Sequence, residues 1–352
     1  MPPPIRAEPD RVVLAVDGNS LVHRSYHSHA GTGLHGADGE PIWAVRGLLT
    51  QLVAAVDRFR PDVVVVGFDD PDVSWRREKW PQYKANRSDK LPTLVRQLEV
   101  AAEVLRDLGV GVIVPAGLEA DDVLASAARA VAAAGGTTVV VTSDRDAFAL
   151  IDAGTHVLRI INGGVECSPL ITAERLVLVL GVRPDQYPDF AALRGDPSDN
   201  LPGVRGIGAK TAAKVLAELG SAEHAFQAPD DLMAAVGSAV AQRLATREAR
   251  ATWELNRQVM AMHADVPIDL DALPTLPLPA AAVREAFNAM QLRWSTSEAV
   301  RVLCGESTPL EERRQAWDRV PPDTVSWAPR PGPIVRRPAH EVVPANQLAL
   351  FD

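Results

Sequence analysis

The first half of the chain alternates short apolar runs with longer segments of mixed character. Four apolar runs have the valine content of buried strands, and they lie at residues 12–16, 63–66, 112–114 and 139–141. Helical segments are predicted between these runs, at residues 44–59, 93–108 and 121–134. Strands that are apolar on both faces belong to parallel sheets covered by helices. The pattern therefore predicts an α/β fold, with a mostly parallel central sheet flanked by helices.

The composition changes along the chain and indicates four regions. Residues 1–10 open with three consecutive prolines and predict a disordered N-terminus, and residues 11–180 hold the α/β pattern. Residues 181–304 have a helical pattern without clear strands, which predicts a second, helical region. Prolines crowd residues 320–344, so we expect residues 305–352 to form a disordered Pro-rich linker that ends in an apolar tip.

The composition also excludes several classes of protein. No apolar stretch is long enough to cross a membrane, and the first residues lack the apolar core of a secretory signal. The two cysteines, Cys167 and Cys304, are far apart and lack metal-ligand spacing, which argues against a disulfide framework. We therefore expect a cytoplasmic protein.

Acidic residues follow the predicted strands and can meet at one edge of the sheet, because the crevice of an open parallel sheet lies outside the carboxyl ends of its strands. These acids are Asp17, Asp69, Glu119, Asp121, Asp122, Asp144 and Asp146. So many carboxylates repel one another unless cations offset their charge, and oxygen ligands favour Mg²⁺ or Mn²⁺, with more than one ion expected. Helix capping is the alternative for some of them, since acids stabilise helix N-termini.

Basic and aromatic residues alternate within residues 75–90, although the whole chain has a net charge of −9. The members are Arg76, Arg77, Lys79, Lys84, Arg87 and Lys90, together with Trp75, Trp80 and Tyr83. Such a surface suits single-stranded nucleic acid, whose bases stack on aromatic rings and whose phosphates pair with cations. A solvated helix face is the alternative that composition leaves open.

A loop with two further acids precedes a glycine-rich segment at residues 201–210. The acids are Asp196 and Asp199, and the segment holds Gly203, Gly206, Gly208 and Lys210. Glycines let backbone amides approach a ligand closely, and a helix N-terminus beside a lysine adds positive potential. The segment therefore predicts a phosphate-binding site, although an acidic loop alone is also an ordinary turn.

Four of the eight histidines cluster early in the chain, at positions 23, 27, 29 and 35. No cysteine or acid lies at the local spacing of a zinc site, so we interpret them as neutral loop residues. The chain also lacks the nucleophile elbow of a Ser-His-Asp hydrolase, which argues against that class of enzyme.

Taken in order, these segments resemble the 5′-nuclease domain of bacterial DNA polymerase I and the wider flap endonuclease family, over residues 11–300. The matching pieces are VDGNS at 16–20, FD at 68–69, YKANR at 83–87, GLEADD at 117–122, TSDRD at 142–146 and GDPSDNLPG at 195–203. The resemblance implies a PIN-like 5′-nuclease core at residues 11–180, with a helical arch around residues 72–92. It also implies a helix-hairpin-helix at 201–220, within a helical DNA-binding region at 181–304. No polymerase segment follows, so we expect a stand-alone nuclease.

The same resemblance implies metal ligands. A first Mg²⁺ or Mn²⁺ ion would lie among Asp17, Asp69, Glu119 and Asp121. A second would lie among Asp144, Asp146, Asp196 and Asp199. Asp122 would belong to the same ring of carboxylates.

DNA contacts are implied as well. Lys84 and Arg87 match the catalytic basic pair of the family, and Arg24 and Arg76 match further DNA contacts. The helix-hairpin-helix would grip the duplex through Gly203, Gly206, Gly208 and Lys210, and would hold K⁺ on its carbonyls.

The apolar tip has a resemblance of its own. Gln347, Leu348, Leu350 and Phe351 match the pentapeptide by which bacterial proteins bind the sliding clamp. The side chains of such a peptide enter an apolar pocket, and a flexible linker raises their effective concentration. An unstructured end without a partner is the alternative.

As a whole, the resemblance predicts a Mg²⁺-dependent, structure-specific 5′→3′ exonuclease and flap endonuclease that acts in Okazaki-fragment processing and DNA repair. Its partners would be the sliding clamp and DNA with 5′ flaps or 5′ ends, including RNA-primed ends. We expect a nucleoid-associated monomer. Two alternatives stay open: a catalytically weak adaptor that brings DNA junctions to the clamp, and an RNA-preferring nuclease with a related site.

Overall fold

A six-stranded sheet forms the centre of the molecule. The computed structural model describes residues 11–36, 39–87, 89–293, 295–305 and 310–317. The strands are β1 Val12–Asp17, β2 Val63–Gly67, β3 Gly111–Ile113, β4 Thr137–Thr142, β5 Thr155–Arg159 and β6 Leu170–Ile171. Their order is β3-β2-β1-β4-β5-β6; the first five run parallel and β6 is antiparallel to β5. The predicted fold class is thus confirmed.

Fifteen α-helices surround or extend this sheet in the described part of the chain. They are α1 Gly18–His29, α2 Trp43–Phe59, α3 Trp75–Lys79, α4 Pro92–Asp107, α5 Ala120–Ala133, α6 Ala173–Leu180, α7 Tyr187–Arg194, α8 Ala209–Leu219, α9 Ala222–Gln227, α10 Pro229–Val236, α11 Ser238–Leu244, α12 Arg247–Val259, α13 Ala280–Ala289, α14 Thr296–Leu303 and α15 Leu310–Trp317. Helices α2, α4 and α5 begin and end within one residue of the predicted segments.

The strands are buried on both faces because alternate side chains enter two separate cores. Val12, Leu14 and Val16 of β1 pack with apolar residues of α1, α2, α4, α13 and α14. Val13 and Ala15 point to the opposite face and pack with residues of α5, α7, α8 and α12. This two-sided burial orients β1 so that its carboxyl end opens toward a cavity at the sheet edge.

Several elements differ from the sequence-based expectation. Strands β5 and β6 were not expected, and the helical region contains a small hairpin of β7 (Gly195–Asp196) and β8 (Leu201–Pro202). Helix α15 lies inside the expected linker. It packs on α2 because the Trp317 ring lies 5.7 Å from that of Phe59, while the Trp317 carbonyl accepts hydrogen bonds from the buried guanidinium of Arg58.

The remaining terminal segments, residues 1–10 and 318–352, lie outside the described residues, as does the predicted clamp-binding peptide. In the described part of the chain, no helix combines the length and the apolar character needed to cross a bilayer.

Candidate metal and nucleic-acid site

Six of the nine predicted metal-binding carboxylates line one cavity of about 950 Å³ at the carboxyl edge of the sheet. The six are Asp17, Asp69, Glu119, Asp121, Asp144 and Asp196. Two more, Asp146 and Asp199, line a smaller adjoining pocket that shares Glu119, Asp121 and Asp144 with the cavity. The fold therefore gathers side chains that are spread over almost two hundred positions of sequence.

Asp17 ends β1 and caps the N-terminus of α1. Its side chain accepts hydrogen bonds from the Ser20 amide and from the Thr142 hydroxyl, each at 2.8 Å. Burial raises the pKa of Asp17 to about 7, and the charges of Asp69 and Asp144 add to the increase. The charged form of Asp17 is therefore less stable, relative to the neutral form, than it is in water, unless a cation binds nearby.

Asp121 and Asp146 each have one buried carboxylate oxygen, Oδ1, without a hydrogen-bond partner among the described residues. Burial raises both pKa values well above the usual range. Asp17 and Asp144 raise the pKa of Asp121 further, and Asp144 and Asp196 do the same for Asp146. Buried oxygen acceptors without donors fit a hard divalent cation, which supplies the missing positive charge.

The carboxylates are not already arranged as a closed metal cage. Among the described residues, no three His, Cys, Asp or Glu side chains stand together at the spacing that holds a metal ion. Asp69 instead accepts hydrogen bonds from the Asn19 amide group at 2.5 Å and from the Ala120 amide at 3.0 Å. The donor chemistry fits a divalent cation, and ligation requires side-chain adjustment.

Glu119 lies where the acidic cavity meets the basic segment. Its Oε2 accepts hydrogen bonds from Lys84 Nζ at 3.1 Å and from the Tyr83 hydroxyl at 2.9 Å, and Arg76 lies 3.5 Å away. Burial alone would raise the pKa of Glu119, but the charges of Lys84 and Arg76 lower it below the usual value. Glu119 is therefore anionic here, paired with protein cations.

Asp122 is the ninth predicted ligand, and the structure places it elsewhere. Its side chain is fully buried and lines neither pocket. Arg76 donates to both of its oxygens, at 2.8 Å and 2.7 Å, and the Glu119 and His263 amides donate to it as well. A metal role for Asp122 and a phosphate-contact role for Arg76 stay predictions, and these contacts favour a structural ion pair instead.

Lys84 and Arg87 border the cavity from the basic segment. Lys84 adopts a φ of 54°, in the left-handed region that side chains disfavour, and its amide donates to the Asp199 carbonyl at 2.9 Å. Arg87 forms an ion pair with the Asp199 carboxylate. Burial alone would lower the pKa of Lys84, yet Tyr83, Asp199 and Glu119 hold it well above the usual range.

The glycine-rich segment connects α7 to α8 through the β7–β8 hairpin. Gly203 lies against the backbone of Arg194, so close that an added Cβ would meet the Arg194 carbonyl oxygen at 2.0 Å. Gly206 has a φ of 77°, and Gly208 precedes the first turn of α8 with open space around it. Lys210 is exposed in that first turn. None of these four residues lines the cavity, although Gly203 packs on Arg194 and Gly195, which do.

Several residues that line the cavity were missed as site residues. Asn19 lines the cavity and holds Asp69, and Thr142 behind it holds Asp17; each contacts an acid 50 or 125 positions away in sequence, so local spacing gave no signal for these contacts. His23 also lines the cavity, where burial and the nearby charge of Lys90 lower its pKa to about 3. Arg145 and Arg159 line it too, and no sequence pattern pointed to them.

A resolvase-like sheet with carboxylates at its carboxyl edge, followed by a helical hairpin region, defines the class of this protein. Residues 12–177 match the model of the 5′-3′ exonuclease N-terminal resolvase-like domain, and residues 182–280 match that of the 5′-3′ exonuclease C-terminal SAM fold. The chain belongs to this 5′-3′ exonuclease family, which confirms the resemblance to the 5′-nuclease domain of DNA polymerase I.

Its relatives include DNA polymerase I of Mycobacterium bovis, 36% identical over 82% of this chain, and the thermostable DNA polymerase I of Thermus thermophilus, 38% identical over 75%. The chain spans about a third of the length of these relatives, 31% and 30% respectively.

Two solved structures share the fold. One is the T5 D15 protein co-crystallised with metal ions, with a TM-score of 0.57 at 18% identity, covering 83% of this chain and 100% of that one. The other is the catalytic core of Rad2 in complex with a DNA substrate, with a TM-score of 0.51 at 15% identity, covering 84% and 91%.

Proposed function

We propose that this chain hydrolyses DNA phosphodiesters at 5′ flaps and 5′ ends, with two divalent ions bound at the carboxyl edge of the sheet. One observation carries the proposal: the buried, donorless oxygens of Asp121 and Asp146 lie beside a cavity that Lys84 and Arg87 border. Bound cations and fixed positive side chains together stabilise the negative charge that develops on a phosphodiester during hydrolysis. The family of the chain supports the same activity.

The carboxylates divide into two groups around the proposed ions. Asp17, Asp69, Glu119 and Asp121 would hold one ion, and Asp144, Asp146, Asp196 and Asp199 the other. Bound Mg²⁺ or Mn²⁺ would supply positive charge for the phosphate and lower the pKa of the attacking water. The hydrogen bonds from Ser20 and Thr142 to Asp17 fix the orientation of that carboxylate in advance.

Lys84 and Arg87 are the proposed catalytic cations. Lys84 is paired with Glu119 of the cavity, and Arg87 with Asp199 of the adjoining pocket. When the carboxylates turn toward cations, these pairs loosen and both side chains become able to contact a phosphate. The rest of the arch segment, around residues 72–92, would then guide the 5′ strand with Lys79 stacked over the Trp75 and Trp80 rings.

The glycine-rich segment is the proposed duplex grip. The open space around Gly208 lets the amides at the start of α8 approach a phosphate, and Lys210 adds charge in the same turn. K⁺ bound to carbonyls of this hairpin would strengthen the contact. Arg24, on α1, would contact the strand nearer the cavity.

Residues 347–351 are the proposed docking peptide for a sliding clamp, which would place the enzyme at Okazaki fragments and repair sites. The support is the match of Gln347, Leu348, Leu350 and Phe351 to the clamp-binding pentapeptide. Removal of residues 347–352 should abolish clamp binding and leave cleavage of free DNA unchanged. As a matched control, removal of residues 330–335 should spare both. Clamp binding by the chain without residues 347–352 would refute the docking peptide.

The activity is tested with a labelled 5′-flap duplex incubated with the full chain in Mg²⁺, in Mn²⁺ or in chelator. We expect cleavage near the branch only with a divalent ion. Tight binding of the flap without cleavage in either ion would refute the nuclease proposal and support the adaptor. An RNA-tipped flap in parallel separates a DNA nuclease from an RNA-preferring one, which would cleave the RNA-tipped flap much faster.

A further inference from the structure

Three arginines, Arg24, Arg145 and Arg159, lie close together at the carboxylate cavity, and none of them has been assigned a bound group so far. Arg159 is the last residue of β5 and pairs in register with Thr142, two residues before Asp144. Arg145 directly follows Asp144, and Arg24 lies on α1, whose N-terminus Asp17 caps. Since all three come from the carboxyl edge of the sheet, their guanidinium groups share the region next to the proposed metal ligands.

None of the three forms an ion pair with a carboxylate within the described part of the chain. Arg159 donates to the Ser143 carbonyl at 3.2 Å, and Arg24 donates to the Asn162 side chain at 2.8 Å. Burial and the charge of Arg145 lower the pKa of Arg159 to about 10, and Arg24 adds to this effect. The charge of Asp144 raises the pKa of Arg159, but by less than burial and Arg145 lower it. The three guanidinium groups therefore lie near one another without a carboxylate partner of their own among the described residues.

Three neighbouring cations differ from this cluster in having carboxylate partners. Arg76, Lys84 and Arg87 each pair with a carboxylate at the site. Half-buried arginines are costly to keep close together without an anion, and their planar fork matches the geometry of phosphate oxygens. Arg145 and Arg159 line the same cavity as Asp144, so an anion bound by them would lie next to the proposed metal ligands.

We propose that Arg159 and Arg145, with Arg24, form a phosphate subsite that holds one phosphate of the DNA strand next to the phosphate at the carboxylates. The subsite rests on the proposed nuclease function and deepens it. Two phosphates have this chemistry, the terminal phosphate of a 5′ end and an internal phosphate near the branch. A terminal phosphate would favour substrates that are already phosphorylated, whereas an internal phosphate would fix the register of the strand.

The test is equilibrium DNA binding by the full-length chain in chelator at several KCl concentrations. The probes are flap duplexes with a one-nucleotide flap, carrying a 5′-phosphate or a 5′-hydroxyl. A further set carries a neutral methylphosphonate at each of the three phosphates nearest the branch in turn. The variants are Arg159→Gln, Arg159→Lys and, as a charge-matched control, Arg129→Gln, whose side chain is exposed on α5 and does not line the cavity.

We expect Arg159→Gln to weaken binding about tenfold and to reduce the slope of log affinity against log salt by about 1, as loss of one phosphate contact should. Arg159→Lys keeps the charge and should keep the slope. If the subsite binds the terminal phosphate, wild type should bind the 5′-phosphate probe more tightly than the 5′-hydroxyl probe, and Arg159→Gln should bind both equally. If the subsite binds an internal phosphate, one of the methylphosphonates should lower the affinity of wild type for the flap and should not change the affinity of Arg159→Gln.

Three results would overturn the subsite. Arg159→Gln could bind like Arg129→Gln, it could lose affinity equally on every probe, or Arg159→Lys could lose as much as Arg159→Gln. The last two results would indicate that Arg159 acts by holding the Ser143 carbonyl. Cleavage of the same probes by wild type in Mg²⁺ is measured alongside. If wild type cleaves the probes but Arg159→Gln lacks the expected change in binding, only the phosphate subsite is refuted. If Arg159→Gln shows that change but wild type does not cleave, only the proposed nuclease activity is refuted.

Discussion

Arg76 and Asp122 form a two-pronged ion pair beneath the cavity, with Nη1 2.8 Å from Oδ2 and Nη2 2.7 Å from Oδ1. Arg76 also donates to the Val259 and Ala261 carbonyls, and so links helices α3 and α5 to the end of α12. Both side chains are almost fully buried, at 4% and 0% exposure. The pair therefore sets the position of the basic segment relative to the acidic cavity.

Arg76→Met should lower the free energy of unfolding by about 3–5 kcal/mol, because it leaves the Asp122 carboxylate buried without its partner. Urea unfolding of the full chain measures this change. Arg77→Met, at the exposed neighbouring position, is the control and should change stability by less than about 0.5 kcal/mol. An equal, small effect of both substitutions would contradict the structural role of the pair.

Asp122→Asn and Asp121→Asn separate a structural acid from a metal-binding one. Asp122→Asn should destabilise the protein, by about 3 kcal/mol, and should leave Mg²⁺ affinity nearly unchanged, since its oxygens face Arg76. Asp121→Asn should stabilise the metal-free protein and weaken Mg²⁺ uptake. Calorimetric titration with Mg²⁺, together with urea unfolding, checks both. If a folded Asp122→Asn protein no longer binds Mg²⁺, Asp122 is a metal ligand and the structural assignment is wrong.

The sequence was sufficient to predict the strands that carry the acids and the helices between them. It was not sufficient for Arg76, because its burial depends on backbone carbonyls 183 and 185 positions away in sequence. Strand β5 was missed because charged and polar residues interrupt its apolar pattern, and with it Arg159 was missed. Lys84 was found by resemblance, but its left-handed backbone depends on the hydrogen bond to Asp199, a tertiary contact.

Gly203→Ala and Gly208→Ala make a matched pair for the proposed duplex grip. A Cβ at Gly203 would overlap the Arg194 carbonyl, so this substitution should cost about 3 kcal/mol or more of stability. A Cβ at Gly208 meets nothing within 4 Å, so stability should change by less than about 1 kcal/mol. Duplex binding by Gly208→Ala should nevertheless weaken about tenfold if phosphates approach the start of α8. Unchanged affinity would place the duplex elsewhere.

Asp146→Asn should change how stability depends on pH. Burial and the charges of Asp144 and Asp196 raise the pKa of Asp146 in the folded, metal-free protein, so that state holds a proton that the unfolded chain releases above about pH 4. Wild type therefore loses stability relative to Asp146→Asn as pH rises from about 4 through the raised pKa. The difference should grow by up to about 1.4 kcal/mol per pH unit.

Urea unfolding of both proteins in chelator, at pH 5 and pH 8, measures this difference; titrations of groups far from Asp146 cancel, and those of Asp144 and Asp196 contribute to it. Added Mg²⁺ should reverse the order at pH 8, because wild type gains a ligand that the variant lacks. Parallel stability curves in chelator would show that Asp146 ionises normally, and the electrostatic case for a cation beside it would then fail.

Asp144→Ala should lower flap cleavage in Mg²⁺ by at least about 100-fold, because Asp144 is a proposed ligand of the second ion and lines both pockets. Flap binding should remain measurable, since the glycine-rich segment and the arginines are untouched. Single-turnover cleavage and anisotropy on the same flap separate the two effects. Near-normal turnover would remove Asp144 from the metal site.

Lys84→Met should lower the single-turnover rate by about 100-fold with little change in flap affinity, because a fixed cation acts most strongly on the charge that develops during hydrolysis. The substitution also removes a cation from Glu119, which keeps the Tyr83 hydroxyl at 2.9 Å and Arg76 at 3.5 Å. The pKa of Glu119 should therefore rise toward its usual value.

Lys79→Met is the matched control for this prediction, since Lys79 has the same charge and length in the same segment but stacks on Trp75 and Trp80 outside the cavity. Its rate should stay within about threefold of wild type at saturating enzyme, with the loss confined to flap affinity. If Lys84→Met and Lys79→Met lower rate and affinity alike, the arch acts only as a basic surface, and Lys84 has no separate part in the chemistry.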